Sequence, residues 1–208
     1  MKRIAPVCLL AALPLFACKN DPTAGKSTAT TSAPAPATPV PAGATAYAFS
    51  QAGSAIELVA AKVTGQHMIS VKEFSGTIHL VAGDPIKSSV EVELVLSSLD
   101  SRPAKFLKHL MSADLLDVEK FPKATFVSTS VAAGGAGGTH TVTGNLTLHG
   151  QTKAISFPAT IAVSGDHVSA KAEFGINRQD FGVTYPGQPD DLIKDEVLVR
   201  LSLDGQKR

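Results

Sequence analysis

The chain has 208 residues, 44% of them hydrophobic and 18% charged, with a formal net charge of +1, which suits one globular domain with appendages and a sizeable core. Lys and Arg are scattered rather than gathered into a basic run, so the composition argues against nucleic acid as a partner. There is no Trp and only 5% aromatic residues, but Val, Ile and Thr are frequent between Gly and Pro, which biases the chain toward strands.

Residues 1–17 read as a secretory signal peptide. Lys2 and Arg3 give a positive start, and Ile4 to Ala17 is uncharged, mostly apolar, interrupted by Pro6 and Pro14, and short for a bilayer span. The run Leu15-Phe16-Ala17-Cys18 resembles the bacterial lipobox, with Phe16 bulkier than the usual occupant of its place. Cys8 would leave with the signal, so Cys18 becomes the single thiol of the mature chain and no intramolecular disulfide is expected. Cys18 is therefore expected to be lipidated and to anchor the chain in a membrane; an ordinary signal peptide with Cys18 a bystander is the alternative. Lys19 stands where an Asp would favour inner-membrane retention, so the expected location, after secretion across the inner membrane, is the outer membrane facing the periplasm. From residue 18 to 45 the chain is Pro, Ala, Thr, Ser and Gly with almost no large apolar residue, which predicts a disordered, semi-extended spacer.

Residues 46–208 form the predicted domain. Val90-Glu-Val-Glu-Leu-Val-Leu puts Val90, Val92, Leu94 and Leu96 on one face and Glu91 and Glu93 on the other. The same alternation recurs from Ile56 to Leu58, Gly76 to Leu80, His140 to Leu148, Ile155 to Ala159 and Val197 to Leu203, about eight strands in all. Gly134 to Gly138, His149-Gly-Gln and Ser164-Gly-Asp-His fall at hairpin spacing. Between Ser101 and Pro122 the period changes: Phe106, Leu107 and Leu110 recur helically after Pro103, and Ser112 is placed to cap a further turn at Asp114-Leu-Leu-Asp. An antiparallel meander of this kind closes into a barrel or splits into a sandwich to hide its edges. The inward positions mix small residues, Ala60, Gly76, Gly144, Ala159, Ala170 and Ala172, with Phe74, Phe126, Phe157 and Phe174. Residue size alone leaves a ligand cavity and a filled interior equally open.

Chemistry-bearing patterns are sparse. The six histidines, at 67, 79, 109, 140, 149 and 167, lack the close spacing of a zinc site, so no metal is expected. Neither a Gly-x-Ser-x-Gly elbow nor His-Glu-x-x-His occurs, and no catalytic residue is assigned. Asp114, Asp117 and Glu119 are expected to position the helical insert near Pro122.

The run Asp114-Leu-Leu-Asp-Val-Glu-Lys-Phe-Pro-Lys-Ala-Thr-Phe126 resembles the signature of the YceI family. Lys72 to Ile78, Val142 to Lys153, Ile176 to Gly182 and Asp195 to Leu201 agree with it in order. The resemblance implies an all-β fold, an antiparallel eight-stranded lipocalin-like barrel with a short helical insert. Its apolar pore would hold a polyisoprenoid or quinone-like lipid, with no catalysis and no cofactor beyond that lipid. It also implies a homodimer. The expected pore lining is Ile78, Leu80, Val92, Leu94, Phe106, Leu110, Phe126, Val142, Leu146, Phe157, Phe174, Ile176 and Val199. Arg178 and Asp180, in the motif Asn-Arg-Gln-Asp-Phe-Gly, are candidates for head-group contact or for a structural clamp. The competing function is a non-catalytic envelope stress or interaction protein with a filled barrel.

Overall fold

The computed structural model describes residues 21–208; the expected signal peptide and Cys18 lie outside them. In chain order the strands are β1 (Ser27–Thr28), β2 (Thr30–Ser32), β3 (Thr45–Ser50), β4 (Ala55–Lys62), β5 (Gly65–Val71), β6 (Phe74–Val81), β7 (Asp84–Val95) and β8 (Leu99–Ser101). Helix α1 (Ala104–Met111) follows, then β9 (Lys123–Ala133), β10 (His140–Leu148), β11 (Gln151–Ser164), β12 (His167–Asn177), β13 (Gly187–Gln188), β14 (Asp191–Leu192) and β15 (Glu196–Lys207).

Alternation produces the wall of a barrel. In β15, Val197, Val199, Leu201 and Leu203 turn inward, while Arg200 pairs outside with Glu173. Three of the long strands are broken by kinks: β3 continues as β4, β5 as β6 and β7 as β8. The hairpin between the first two runs from Lys62↔Gly65 at its tip to Thr45↔Leu80 at its base. Counting each broken strand once, eight antiparallel strands follow one another as a meander. The last, β15, closes the circle by pairing with Ala48 of β3 and with Ala55 to Val59 of β4. Closure removes the sheet edges that an open meander would expose, which resolves the choice between barrel and sandwich in favour of the barrel. The expected turns at Gly134 to Gly138, His149-Gly150 and Gly165-Asp166 are the β9–β10, β10–β11 and β11–β12 hairpins.

The helical insert is shorter than its pattern suggests. Ala, Lys, Leu and Met favour helix, and Lys108 and His109 in the last turn suit its negative end. Ser112 was expected to start a further turn; instead it ends α1, its Oγ donating to the His109 carbonyl at 2.8 Å. The chain then turns back through the Leu115 and Asp117 amides, both donating to the Ser112 carbonyl at 3.1 and 2.8 Å. A hydroxyl engaged with the preceding turn is unavailable to cap the following one.

The spacer expected over residues 18–45 is ordered in its described part. Residues 27–32 pair with β12 and β11, Asn145 on β10 exchanges hydrogen bonds with the backbone of Ala35, and Thr38 Oγ1 donates to the Thr129 carbonyl on β9 at 2.6 Å. The segment thus crosses four strands of the barrel. Its composition offers little apolar surface to bury, but strand pairing needs only backbone donors and acceptors.

Candidate functional site

The inward side chains do not fill the barrel. A chamber of about 220 Å3 occupies the half nearer α1, and a second of about 80 Å3 lies toward the β6–β7 and β11–β12 hairpins. Val92, Phe126, Phe157, Leu201 and Leu203 border both, so the two are successive compartments of one lumen. The partition is aromatic: Phe126 and Phe157 approach to 5.7 Å between ring centroids, and Phe157 stacks on Phe174 at 4.1 Å. Gly144 helps place it, because a Cβ there would come within 2.4 Å of the Phe126 ring and 2.6 Å of the Val127 carbonyl. Only an absent side chain lets that ring lie across β10.

All thirteen expected lining residues border the lumen. Leu94, Phe106, Leu110, Leu146, Phe174, Ile176 and Val199 face the larger chamber. Ile78, Leu80 and Val142 face the smaller one, and Val92, Phe126 and Phe157 face both. Of the small inward residues, Ala60 lines the larger chamber, and Ala159, Ala170 and Ala172 line the smaller. Gly76 and Gly144 leave no comparable room, because the rings of Phe49 and Phe126 cover them. Phe74 is buried in the core beside the lumen.

Sequence reading missed further lining residues of two kinds, some on strands, as Ile56, Leu58 and Ile155 are, and some off them. Val197, Leu201 and Leu203 share the face of Val199, and their period-two spacing was signal enough to find them. Leu115 and Leu116 after α1, and Val183 and Ile193 in the connection before β15, close the larger chamber's end; they carry no periodicity. That end is fixed by Arg178, which is 6% exposed. Its guanidinium donates to the carbonyls of Val183 at 2.5 Å, Lys194 at 3.1 Å and Ile193 at 3.4 Å, and to Asp195 Oδ1 at 2.9 Å. Burial lowers the Arg178 pKa and the Asp195 carboxylate opposes that shift, so the guanidinium keeps its charge at neutral pH. Arg178 borders the larger chamber, but these donors point into the connecting loop, not the lumen. Asp180 lies partly exposed on the short turn after β12 and borders neither chamber.

Of the other titratable groups among the described residues, Lys171 borders the smaller chamber and Tyr47 is buried in the apolar core. His67 stacks on Phe106 at 3.8 Å and contacts the Arg102 carbonyl at 3.2 Å. His109 approaches Asp114 at 3.2 Å, which ties the end of α1 to the turn after it. Glu196 is raised above the usual carboxylate range, first by burial and then by Asp180, Asp21 and Asp195. Its Oε2 is buried without a hydrogen-bond partner. Among the described residues no group of three His, Cys, Asp or Glu is arranged to hold a metal ion.

Comparison with known proteins gives consistent results. Residues 47–204 match the family described as YceI-like domain. A UPF0312 protein of Pseudomonas putida strain W619 is 38% identical over 134 residues, covering 62% of this chain and 69% of its own length. A UPF0312 protein of Pseudomonas syringae pv. syringae is 42% identical over 128 residues, covering 59% of this chain and 66% of its own length. Burkholderia cenocepacia BcnA superposes with a TM-score of 0.63 at 24% identity, over 74% of this chain and 97% of its own. A polyisoprenoid binding domain from Saccharophagus degradans, implicated in plant cell wall breakdown, superposes with a TM-score of 0.60 at 15% identity, over 78% of this chain and 99% of its own.

Proposed function

The chain belongs to the YceI-like domain family, and from that premise we propose that it binds and carries or stores a long apolar isoprenoid-type lipid, a quinone or polyprenyl chain, in its barrel. The observation that carries this reading is the two-chambered lumen, whose larger part is bordered by apolar side chains apart from Arg178. A prenyl chain offers no hydrogen bonds, so a receptor for it needs apolar area and length. Each Å2 removed from water contributes about 25 cal/mol, less the ordering costs of association. A chamber of about 220 Å3 exceeds the ~150 Å3 at which an apolar cavity stays dry and takes up a benzene-sized guest. That volume favours a binding barrel over the filled barrel of an interaction protein. The polar head would then remain at a chamber end, and no catalytic step is assigned. We further propose that acylated Cys18 holds the carrier at the outer membrane on its periplasmic side, and that it assembles as a homodimer.

The test is to purify the protein from a bacterial envelope under native conditions, extract it with organic solvent and analyse the extract by mass spectrometry. A stoichiometric prenyl lipid is expected. An empty barrel that also ignores added quinones and prenyl alcohols would overturn the reading and leave the interaction protein in its place.

A further inference from the structure

The barrel is not closed by its eight strands all the way along. β11 and β12 pair from Thr160↔Lys171 to Ser164↔His167, and toward the α1 end they part. Residues 27–32 fill the interval. Ser27 and Thr28 pair in parallel with Phe174 and Gly175, and Thr30 to Ser32 pair antiparallel with Ser156 to Ala154. Between them the Ala29 amide donates to the Gly175 carbonyl at 2.8 Å. Ala29 is 7% exposed and packs in the same apolar cluster as Phe157 and Phe174. Those two rings border the larger chamber, as do Ile155 and Ile176 on the same parted strands. None of residues 27–32 borders a chamber directly: the segment closes the gap in the sheet from outside, with Ala29 in the same apolar cluster as the Phe157 and Phe174 rings that line the lumen there.

The segment is held lightly for a piece of barrel wall. Ala29 is its one buried apolar side chain, and Thr30 to Ser32 are exposed. Outside, Lys26 Nζ meets Glu173 Oε2 at 2.5 Å with both side chains partly exposed. Gly175 lets it sit close, since a Cβ there would lie 3.0 Å from Thr23 Cγ2. Few buried apolar contacts and exposed backbone hydrogen bonds are the marks of a segment that opens below the cost of global unfolding. The ends of the lumen are less suited to opening: α1 and the loop clamped by Arg178 cover one, and the other leads through the Phe126–Phe157 partition.

We propose that the seam between β11 and β12 is a lateral port through which the hydrocarbon chain passes between bilayer and lumen, with residues 27–32 as its removable wall. This rests on the lipid-binding reading above. A chain sliding sideways through a seam stays out of water, whereas threading through an end would expose its length. Ser27 lies nine positions beyond Cys18, a reach of at most about 30 Å, so an acylated Cys18 would bring the port close to the membrane surface.

The test staples the wall shut. Thr30 and Ser156 are directly opposed in an antiparallel ladder, where Cα separations of about 4.5–5.5 Å fall within disulfide range. The full chain carrying Thr30→Cys and Ser156→Cys is mixed with phosphatidylcholine vesicles containing a dansyl-labelled polyprenol, oxidised or reduced with dithiothreitol, the bridge being verified by mass. Uptake by the oxidised form should be slower by about tenfold or more, with the amount bound at equilibrium unchanged, as for a state whose open population is suppressed. Lys26→Glu, which replaces the Lys26–Glu173 pair with a repulsion, should speed uptake several-fold in the otherwise native chain. Equal rates in the oxidised and reduced forms, with normal amounts bound, overturn the port and leave the binding reading standing. If the bridge does not form, an unchanged rate for Lys26→Glu overturns the port. No uptake by the unsubstituted chain overturns both readings together.

Discussion

Replacing Arg178 with methionine keeps an unbranched side chain of similar reach and removes every donor of the guanidinium. Three loop carbonyls, of Val183, Ile193 and Lys194, then lose their partner, and Asp195 loses its counter-charge. Breaking one side of a largely buried charged pair costs about 3–5 kcal/mol. Asp195 is half exposed at 48%, so water recovers part of its loss and the lower end of that range applies. For a chain of this length 1 kcal/mol moves the melting midpoint by about 2–4 °C, which places Arg178→Met roughly 10 °C below the parent in a circular dichroism melt. Amide exchange should rise first over residues 183–195. Arg178→Lys keeps the charge but not the planar fork, and should fall between the two. A melt within about 2 °C of the parent, with loss confined to lipid affinity, would refute the clamp and make Arg178 a head-group contact.

Phe157→Ala removes the ring shared by both chambers and should destabilise the empty barrel by about 3–5 kcal/mol; added prenyl alcohol should restore the melting temperature by mass action and longer chains should now be retained, as read by native mass spectrometry. Gly144→Ala drives a methyl into the Val127 carbonyl and the Phe126 ring; because one obstacle is backbone, a cost of about 1–3 kcal/mol is expected, measured as a lower urea midpoint. Glu196→Gln should have the opposite sign. The folded Glu196 carboxyl titrates above its ordinary value of 4.5, so its contribution favours the fold at pH below that value and is lost as pH rises through the raised one. The substitution should therefore stabilise the protein at pH 7 and change little at pH 4, as compared by urea unfolding at the two pH values.

Much of the lumen was legible because a barrel wall reads its inward face out in the sequence at period two. Val90 to Leu96 and Val197 to Leu203 declare their inward residues by alternation alone, and the eleven expected lining residues that lie on strands border the chambers for that reason, while Phe106 and Leu110 reach the lumen from α1 at helical spacing. What the pattern could not reveal is how the lumen is closed. Arg178 has an acidic neighbour in sequence at Asp180, but its partner is Asp195, seventeen residues on, together with carbonyls that carry no side-chain signature. Ser112 has the composition of a helix start and serves as a helix stop, because its hydroxyl reached the His109 carbonyl first.

The N-terminal segment makes the same point more strongly. Lys26-Ser-Thr-Ala-Thr-Thr-Ser reads as spacer because nothing in it asks to be buried, while the strand edges it satisfies belong to β11 and β12, more than a hundred residues away. Thr is a good strand residue, but one that pairs through its backbone leaves no trace in hydropathy. The division has a functional side. Surfaces that hold an apolar chain must be apolar and are therefore written in the side chains, whereas a wall that must come away has to be held by bonds that water can replace. The polarity that disguised residues 27–32 as a tether is what such a wall requires: a Leu or Phe in place of Ala29 would bury against Phe157 and Phe174 and make the port costlier to open.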